Sequence, residues 1–394
     1  MSPGLSSFLN LSRWLAALLV VIYHVRHLIL VDFKDVADKT LFSKALYFAA
    51  GLGHEAVMVF FVISGFLVGG LTLNRWKACG PDLRAYAFAR VSRIYTVLIP
   101  ALLMGFVLDS VGLHWLNASE LYTNSAQYHT NSLTSQITAA MDLRTFLGNL
   151  VMMQGIMTGH FGSNGPLWSL ANEWWYYCMF ALLGTALTWG RWQERAWSAL
   201  GALVLAALLP GELMLWGSIW ALGMVAHAWI KSGRWIPAPW LGSGIFVVAL
   251  VASRLSRNGD FEAGESIWID FVRDLILGLA YMVALVSASR IKASLPLASL
   301  HDWLAEFSYT SYLCHFPAMV FVVALGYQVF HLPFLVQPTV LGLAYLFGSC
   351  AVIYAYCFVV YQLTEKHTAK VRQQLDKLWG KSPAPILKAS DTRA

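Results

Sequence analysis

Long apolar runs alternate with short polar breaks along this chain. Ten runs are long enough, or nearly so, to cross a bilayer: about 11–31, 55–73, 93–113, 166–189, 196–210, 212–230, 238–254, 267–289, 307–330 and 338–363. Backbone groups in hydrocarbon must be satisfied within the segment, so the pattern predicts helices. The expected fold class is all-α, a polytopic integral membrane helix bundle of about ten transmembrane helices. Pro210-Gly211 reads as a tight turn between the fifth and sixth runs. The longest non-spanning stretch, 114–165, is polar and rich in Ser, Thr and Asn. Within it, Leu143 to Met157 is amphipathic enough to lie on the membrane or re-enter it. The N-terminus lacks a basic region and a small-residue cleavage site, so the first run is expected to remain as a helix. Two parts are expected: a spanning domain over 1–366 and a polar tail over 367–394, disordered at its end near Pro383 and Pro385.

Composition agrees with this pattern. The 394 residues are 58% hydrophobic and 12% charged, too few charges to cover a soluble protein of this size. Tryptophans such as Trp14, Trp115, Trp168, Trp235 and Trp268 flank the runs, where amphipathic rings favour the interface. A net charge of +6 raises the question of nucleic acid. The basic residues instead gather in alternate loops, the pattern of membrane orientation, so no nucleic-acid partner is expected. With the N-terminus inside, the loop 74–93 (Arg75, Lys77, Arg84, Arg90, Arg93) and the tail lie in the cytoplasm. Lys34, Lys39, Lys44, Arg144, Arg254 and Arg257 lie outside. Both termini are expected to be cytoplasmic. The five cysteines show no paired spacing, so neither disulfides nor a metal site is expected.

Polar islands interrupt the apolar runs. Arg13 and His24 are eleven residues apart in the first run. At about 100° and about 1.5 Å per residue they share one face and lie about 16 Å apart. Ionisable groups at such depth are functional candidates by default. The alternatives are a snorkelling arginine and a packing histidine. Ser64-Gly65 forms a second island, read first as a close helix contact. Trp168-Ser169-Leu170-Ala171-Asn172-Glu173 is a third, where a buried carboxylate needs a partner or a proton. Ser308 to Pro317 is a fourth. Its His315 precedes a proline that frees a carbonyl and bends the helix, and one alternative is that the ring merely satisfies that carbonyl. Arg90 and Arg93 sit three apart on one face at a helix start, suited to phosphate groups of a cytoplasmic ligand.

Taken in order, these pieces resemble the membrane acyltransferase family known as acyltransferase 3. The matching pieces are Arg13 with His24, Phe60-Phe61-Val62-Ile63-Ser64-Gly65-Phe66, Arg90-Val91-Ser92-Arg93-Ile94-Tyr95, Trp168-Ser169-Leu170 with Glu173, Ser308-Tyr309 with Tyr312-Leu313 and His315-Phe316-Pro317, and Thr364-Glu365-Lys366. The resemblance covers about 11–366. It departs at Leu11-Ser12 before Arg13, where the family usually has Asp-Gly, at Trp14, and at Thr96, where a proline often stands. The family's optional fused serine-esterase-like domain is not expected.

The resemblance implies an O-acyltransferase, commonly an O-acetyltransferase. It implies acetyl-CoA or another acyl-CoA as donor and co-substrate, no permanently bound cofactor, and a carbohydrate, exopolysaccharide or glycolipid hydroxyl as acceptor. His24 matches the family's essential histidine and Arg13 the arginine paired with it. Glu173 matches its buried glutamate, and Arg90 and Arg93 its cytoplasmic arginine motif. In the expected mechanism His24 is the general base. Ser64, His315 and Trp168 are candidates for binding the substrate or the oxyanion. A bacterial inner membrane is the expected location. The alternative reading is a proton-coupled transporter or flippase of a glycan or lipid, with the same ionisable residues as a relay.

Overall fold

A computed structural model describes the chain except residues 129–132, 134–136, 189, 258–265 and 380–394. Its helices are α1 (Pro3–Ile29), α2 (Leu41–Ala49), α3 (Gly53–Ser64), a wide π turn (Gly65–Gly70) continuing into α4 (Leu71–Cys79), α5 (Leu83–Trp115), α6 (Leu143–Leu150), α7 (Leu167–Thr188), α8 (Trp192–Leu208), α9 (Gly211–Lys231), α10 (Pro239–Ser256), α11 (Ile267–Ala288), α12 (Ala298–Glu306), α13 (Ser308–Phe330), α14 (Val340–Leu363) and α15 (Thr368–Leu378). Among the described residues there is no strand. The chain is a helical, polytopic membrane bundle. Seven helical stretches are long and apolar enough to cross a membrane. At 17 residues, α8 falls short of the roughly 20 needed to span unaided.

Several boundaries differ from the hydrophobic runs, because polar residues extend helices past the apolar stretch. α1 begins at Pro3 rather than near residue 11. Ser2 accepts a hydrogen bond from the Leu5 amide, and Pro3 fits the first helical turn. α5 begins at Leu83, ten residues before the apolar run, where the Asp82 side chain caps the Ala85 amide. The region 143–157 is an eight-residue helix, α6, capped by Asp142 and ended near Met152, whose φ is 62°. The polar tail opens with a helix, α15, which packs on α5. The end expected to be disordered, 380–394, lies outside the described residues.

α1 runs through the middle and packs against α3, α11, α12, α13 and α14. Among the seven spanning stretches, the one containing α3 and helix α13 are the most enclosed and α10 the least. The Ser64-Gly65 pair makes the close contact its composition suggested. A Cβ on Gly65 would lie 1.8 Å from the Trp220 carbonyl oxygen, and one on Gly223 would lie 2.1 Å from the Val62 carbonyl oxygen. Two glycines thus let α3 and α9 cross backbone to backbone.

The end of the bundle away from both helical termini is pinned by charge. Arg257, read from sequence as a loop cation, is 12% exposed and bonds Asp274 at 2.7 Å. It also lies 3.4 Å from Glu55 and 3.5 Å from Asp270. Asp274 receives further bonds from Trp216 Nε1 at 2.8 Å and His54 Nε2 at 2.7 Å. One guanidinium therefore ties together the starts of α3 and α11 and the end of α10.

Candidate active site

A cavity of about 750 Å³ opens at the end of the bundle that carries α15 and the start of α5. Its mouth is formed by Lys366, Thr368, Ala369 and Arg372, and its walls hold Arg13, Arg90, Arg93 and Glu173. Its deep end is aromatic, closed by Phe60, Phe61 and Tyr312. Arg13, Arg90, Arg93 and Glu173 come from helices whose apolar remainder packs the core, so these polar side chains share one interior space.

The arginines are held differently from one another. Arg93 Nη1 bonds Glu365 Oε1 at 2.5 Å, and its guanidinium lies over the Tyr309 ring at 4.7 Å. Glu365 Oε2 accepts from the Thr310 amide at 3.0 Å and from Thr310 Oγ1 at 2.6 Å. The carboxylate thus caps the first turn of α13 while neutralising Arg93. Arg93 lines the cavity, but its charge is already met. Arg90 is different: its guanidinium lies between the Tyr177 and Tyr86 rings, at 5.5 and 5.9 Å, and has no ion-pair partner among the described residues. Arg13 bonds only Ser308 Oγ, at 3.4 Å, and faces the same space.

Ser64 belongs to an ordered chain. Trp220 Nε1 donates to Ser64 Oγ at 3.0 Å, Ser64 Oγ lies 3.1 Å from Tyr177 Oη, and Tyr177 Oη donates to Glu173 Oε1 at 2.5 Å. An indole only donates and an ionised carboxylate only accepts, so the hydroxyl protons point from Trp220 towards Glu173. Ser64 is therefore committed at both ends in this arrangement. The second oxygen of Glu173 has no partner among the described residues.

His24 and His315 lie beyond the aromatic end. Their rings stack with centroids 5.3 Å apart and planes 28° apart, and Phe316 meets His24 edge-on at 5.0 Å. His24 is half-buried and His315 fully buried. His315 Nδ1 sits 3.0 Å from the Ser311 carbonyl and 2.9 Å from that of Tyr312. This nitrogen carries the proton, so in the neutral ring Nε2 has only a lone pair, and it meets no partner. In this tautomer Nε2 of the neutral ring can accept from a hydroxyl but cannot donate to an oxyanion. The carbonyl freed by Pro317 is that of Leu313, and it is satisfied by Asn164 Nδ2 at 2.9 Å, not by the imidazole.

The cavity gathers Arg13, Ser64, Arg90, Arg93 and Glu173. His24 and His315 pair with each other and are not among its lining residues. Trp168 is not among them either; it packs edge-on against Phe61 at 6.4 Å. Tyr312 joins the two groups: it lines the cavity, and its ring lies 6.1 Å from His315. Sequence reasoning did not single out Tyr177, because aromatics are abundant throughout, and quoted Tyr309 and Tyr312 only as parts of a motif. It quoted Glu365 only as part of a motif, although a carboxylate directly after an apolar run is a signal. It also missed Arg26, which is 2% exposed near Asp32 (3.6 Å) and the Tyr47 ring (5.3 Å).

This bundle, with ionisable residues facing an interior cavity, has the build of a membrane enzyme rather than a passive scaffold. The family's sequence model, described as an acyltransferase domain, matches residues 6–359. The chain belongs to this acyltransferase 3 family and is a membrane acyltransferase. No curated protein and no solved structure is similar enough to match it.

Proposed function

We propose that this acyltransferase takes an acyl group, acetyl in the simplest case, from cytoplasmic acyl-CoA. The acceptor is a hydroxyl of a carbohydrate, exopolysaccharide or glycolipid, and the membrane is a bacterial inner membrane with both termini cytoplasmic. The observation that carries the reading is the cavity itself. It begins among cations that suit phosphates and ends at Tyr312, next to the His24–His315 stack. The donor's nucleotide stays near Arg90 and Arg13, and its pantetheine arm follows the aromatic wall inward. Glu173 has an open oxygen for an amide N–H of that arm. The acceptor approaches from the opposite end of the bundle.

His24 removes the acceptor proton as the hydroxyl oxygen attacks the thioester carbon. The tetrahedral intermediate collapses, the carbon–sulfur bond breaks, and the thiolate takes the proton back from the imidazolium. General-base help of this kind is typically worth about 10²–10⁴-fold, and holding both partners in line supplies more. The supporting feature is the stacking partner that orients His24.

Purified protein in liposomes, supplied with radiolabelled acetyl-CoA and an acceptor oligosaccharide, tests the reading. Label should pass to the sugar, and His24→Ala should lose at least about 10²-fold while eluting as a folded species. Undiminished transfer in that variant would reject His24 as base. Proton-coupled uptake without any CoA dependence would favour the transporter instead.

A further inference from the structure

The mouth of the cavity is built by a segment beyond the family match, which ends at residue 359. Lys366 follows the carboxylate that caps α13, and Thr368, Ala369 and Arg372 present one face of α15 to the cavity. α15 is held in place rather than trailing. The Arg84 guanidinium donates to the Trp379 carbonyl, and the Trp379 ring packs on Phe88 at 6.0 Å. Neither mouth cation has a carboxylate partner among the described residues. Lys366 Nζ donates to the neutral Gln362 Oε1 at 2.6 Å, and Arg372 is exposed with no hydrogen bond or ion pair.

We infer that Lys366 and Arg372 form the outer phosphate-binding subsite of this enzyme, holding the phosphates of the acyl donor's nucleotide while the thioester end reaches inward. The inference rests on the proposed acyl-CoA reading and adds to it a site supplied by the tail helix. Deeper in the cavity Arg93 is already neutralised by Glu365, which leaves Arg90 and Arg13 there, and a polyanionic ligand meets further cations where the cavity opens. A guanidinium and an ammonium that line the same opening, neither with a carboxylate partner among the described residues, suit phosphate oxygens. Lys370 and Lys377 share the helix but do not line the cavity, so they serve as internal controls.

Anionic lipid headgroups carry the same chemistry, and the experiment separates the two sources. Binding of CoA to the full chain is measured by calorimetry in nanodiscs of purely zwitterionic lipid and again with anionic lipid added. In zwitterionic discs, Arg372→Gln and Lys366→Gln should each weaken CoA about tenfold, and Lys370→Gln should not. The KM for acetyl-CoA should rise in parallel. An acetylated pantetheine without the nucleotide should lose this sensitivity to Arg372→Gln. Wild-type CoA affinity in Arg372→Gln overturns the subsite, as does equal weakening by Lys370→Gln. An effect confined to anionic discs assigns the cations to lipid and also overturns it. Absence of any CoA binding by the wild-type protein overturns the acyl-CoA reading itself and is thus a separate result.

Discussion

Glu365 holds Arg93 with one oxygen and the first turn of α13 with the other. The carboxylate is 3% exposed, so its charge depends on that guanidinium. Removing the arginine strands a buried carboxylate, but the Arg93 side chain is itself 33% exposed, so the cost falls below the ~3–5 kcal/mol of a fully buried pair. Arg93→Ala is therefore expected to lower the melting temperature in detergent, beyond any effect on the donor. Adding Glu365→Gln should restore part of the loss, since the amide keeps an acceptor for Thr310 without the stranded charge. A single Arg93→Ala variant as stable as wild type would show that the pair contributes little.

The chain from Trp220 through Ser64 and Tyr177 to Glu173 makes Tyr177 its central link. Tyr177→Phe keeps the ring but removes the bond to the carboxylate. Hydrogen bonds to charged groups are worth about 1.5–3 kcal/mol, which corresponds to roughly ten- to hundredfold in rate if the position of Glu173 matters to turnover. Transfer kinetics of Tyr177→Phe at unchanged thermal stability measure it. A variant with wild-type turnover would reduce the chain to scaffold.

The crossing of α3 and α9 leaves no room for a methyl group. Gly65→Ala and Gly223→Ala are each expected to destabilise by at least the ~1–3 kcal/mol of ordinary overpacking, because the obstacles are backbone carbonyls. Gly244→Ala in α10, which meets nothing within 4 Å, should be neutral or stabilising by up to about 1 kcal/mol. Fluorescence-detected size exclusion after graded heating should separate the two classes. Equal survival of all three variants would contradict the close crossing.

Asn164 and Pro317 are coupled through the Leu313 carbonyl. Asn164→Ala leaves that buried oxygen unmet, at a cost of about 1–3 kcal/mol. Pro317→Ala restores a backbone donor to the same oxygen, so the double variant should recover part of the loss. Strict additivity in the thermal double-mutant cycle would disprove the shared acceptor.

The helical bundle was legible because apolar length is a strong signal in a membrane protein. The helix starts were not: Pro3 and Leu83 lie in polar sequence, where Ser2 and Asp82 cap turns that no hydrophobic run announces. In the site, the residue types of Arg13, Arg90, Arg93 and Glu173 were readable, and the cavity gathers them; the expectation that Arg90 and Arg93 open their helix was not met, since α5 starts at Leu83. Their pairing was not. That Arg93 meets Glu365, 272 positions away, and that Asn164 meets Leu313, 149 positions away, are facts of tertiary packing. His315 shows the same limit: its place beside a proline was visible, but the protonated nitrogen follows from which carbonyls the bent helix offers.

The Arg257 cluster has a mechanical consequence. Sliding α3, α10 or α11 past one another would pull the buried Glu55 or Asp274 away from Arg257, so the cluster couples these helices into one block. The glycine crossing adds α9 to that block. Helices α5 and α13, which pack on each other and line the cavity, lie outside that block.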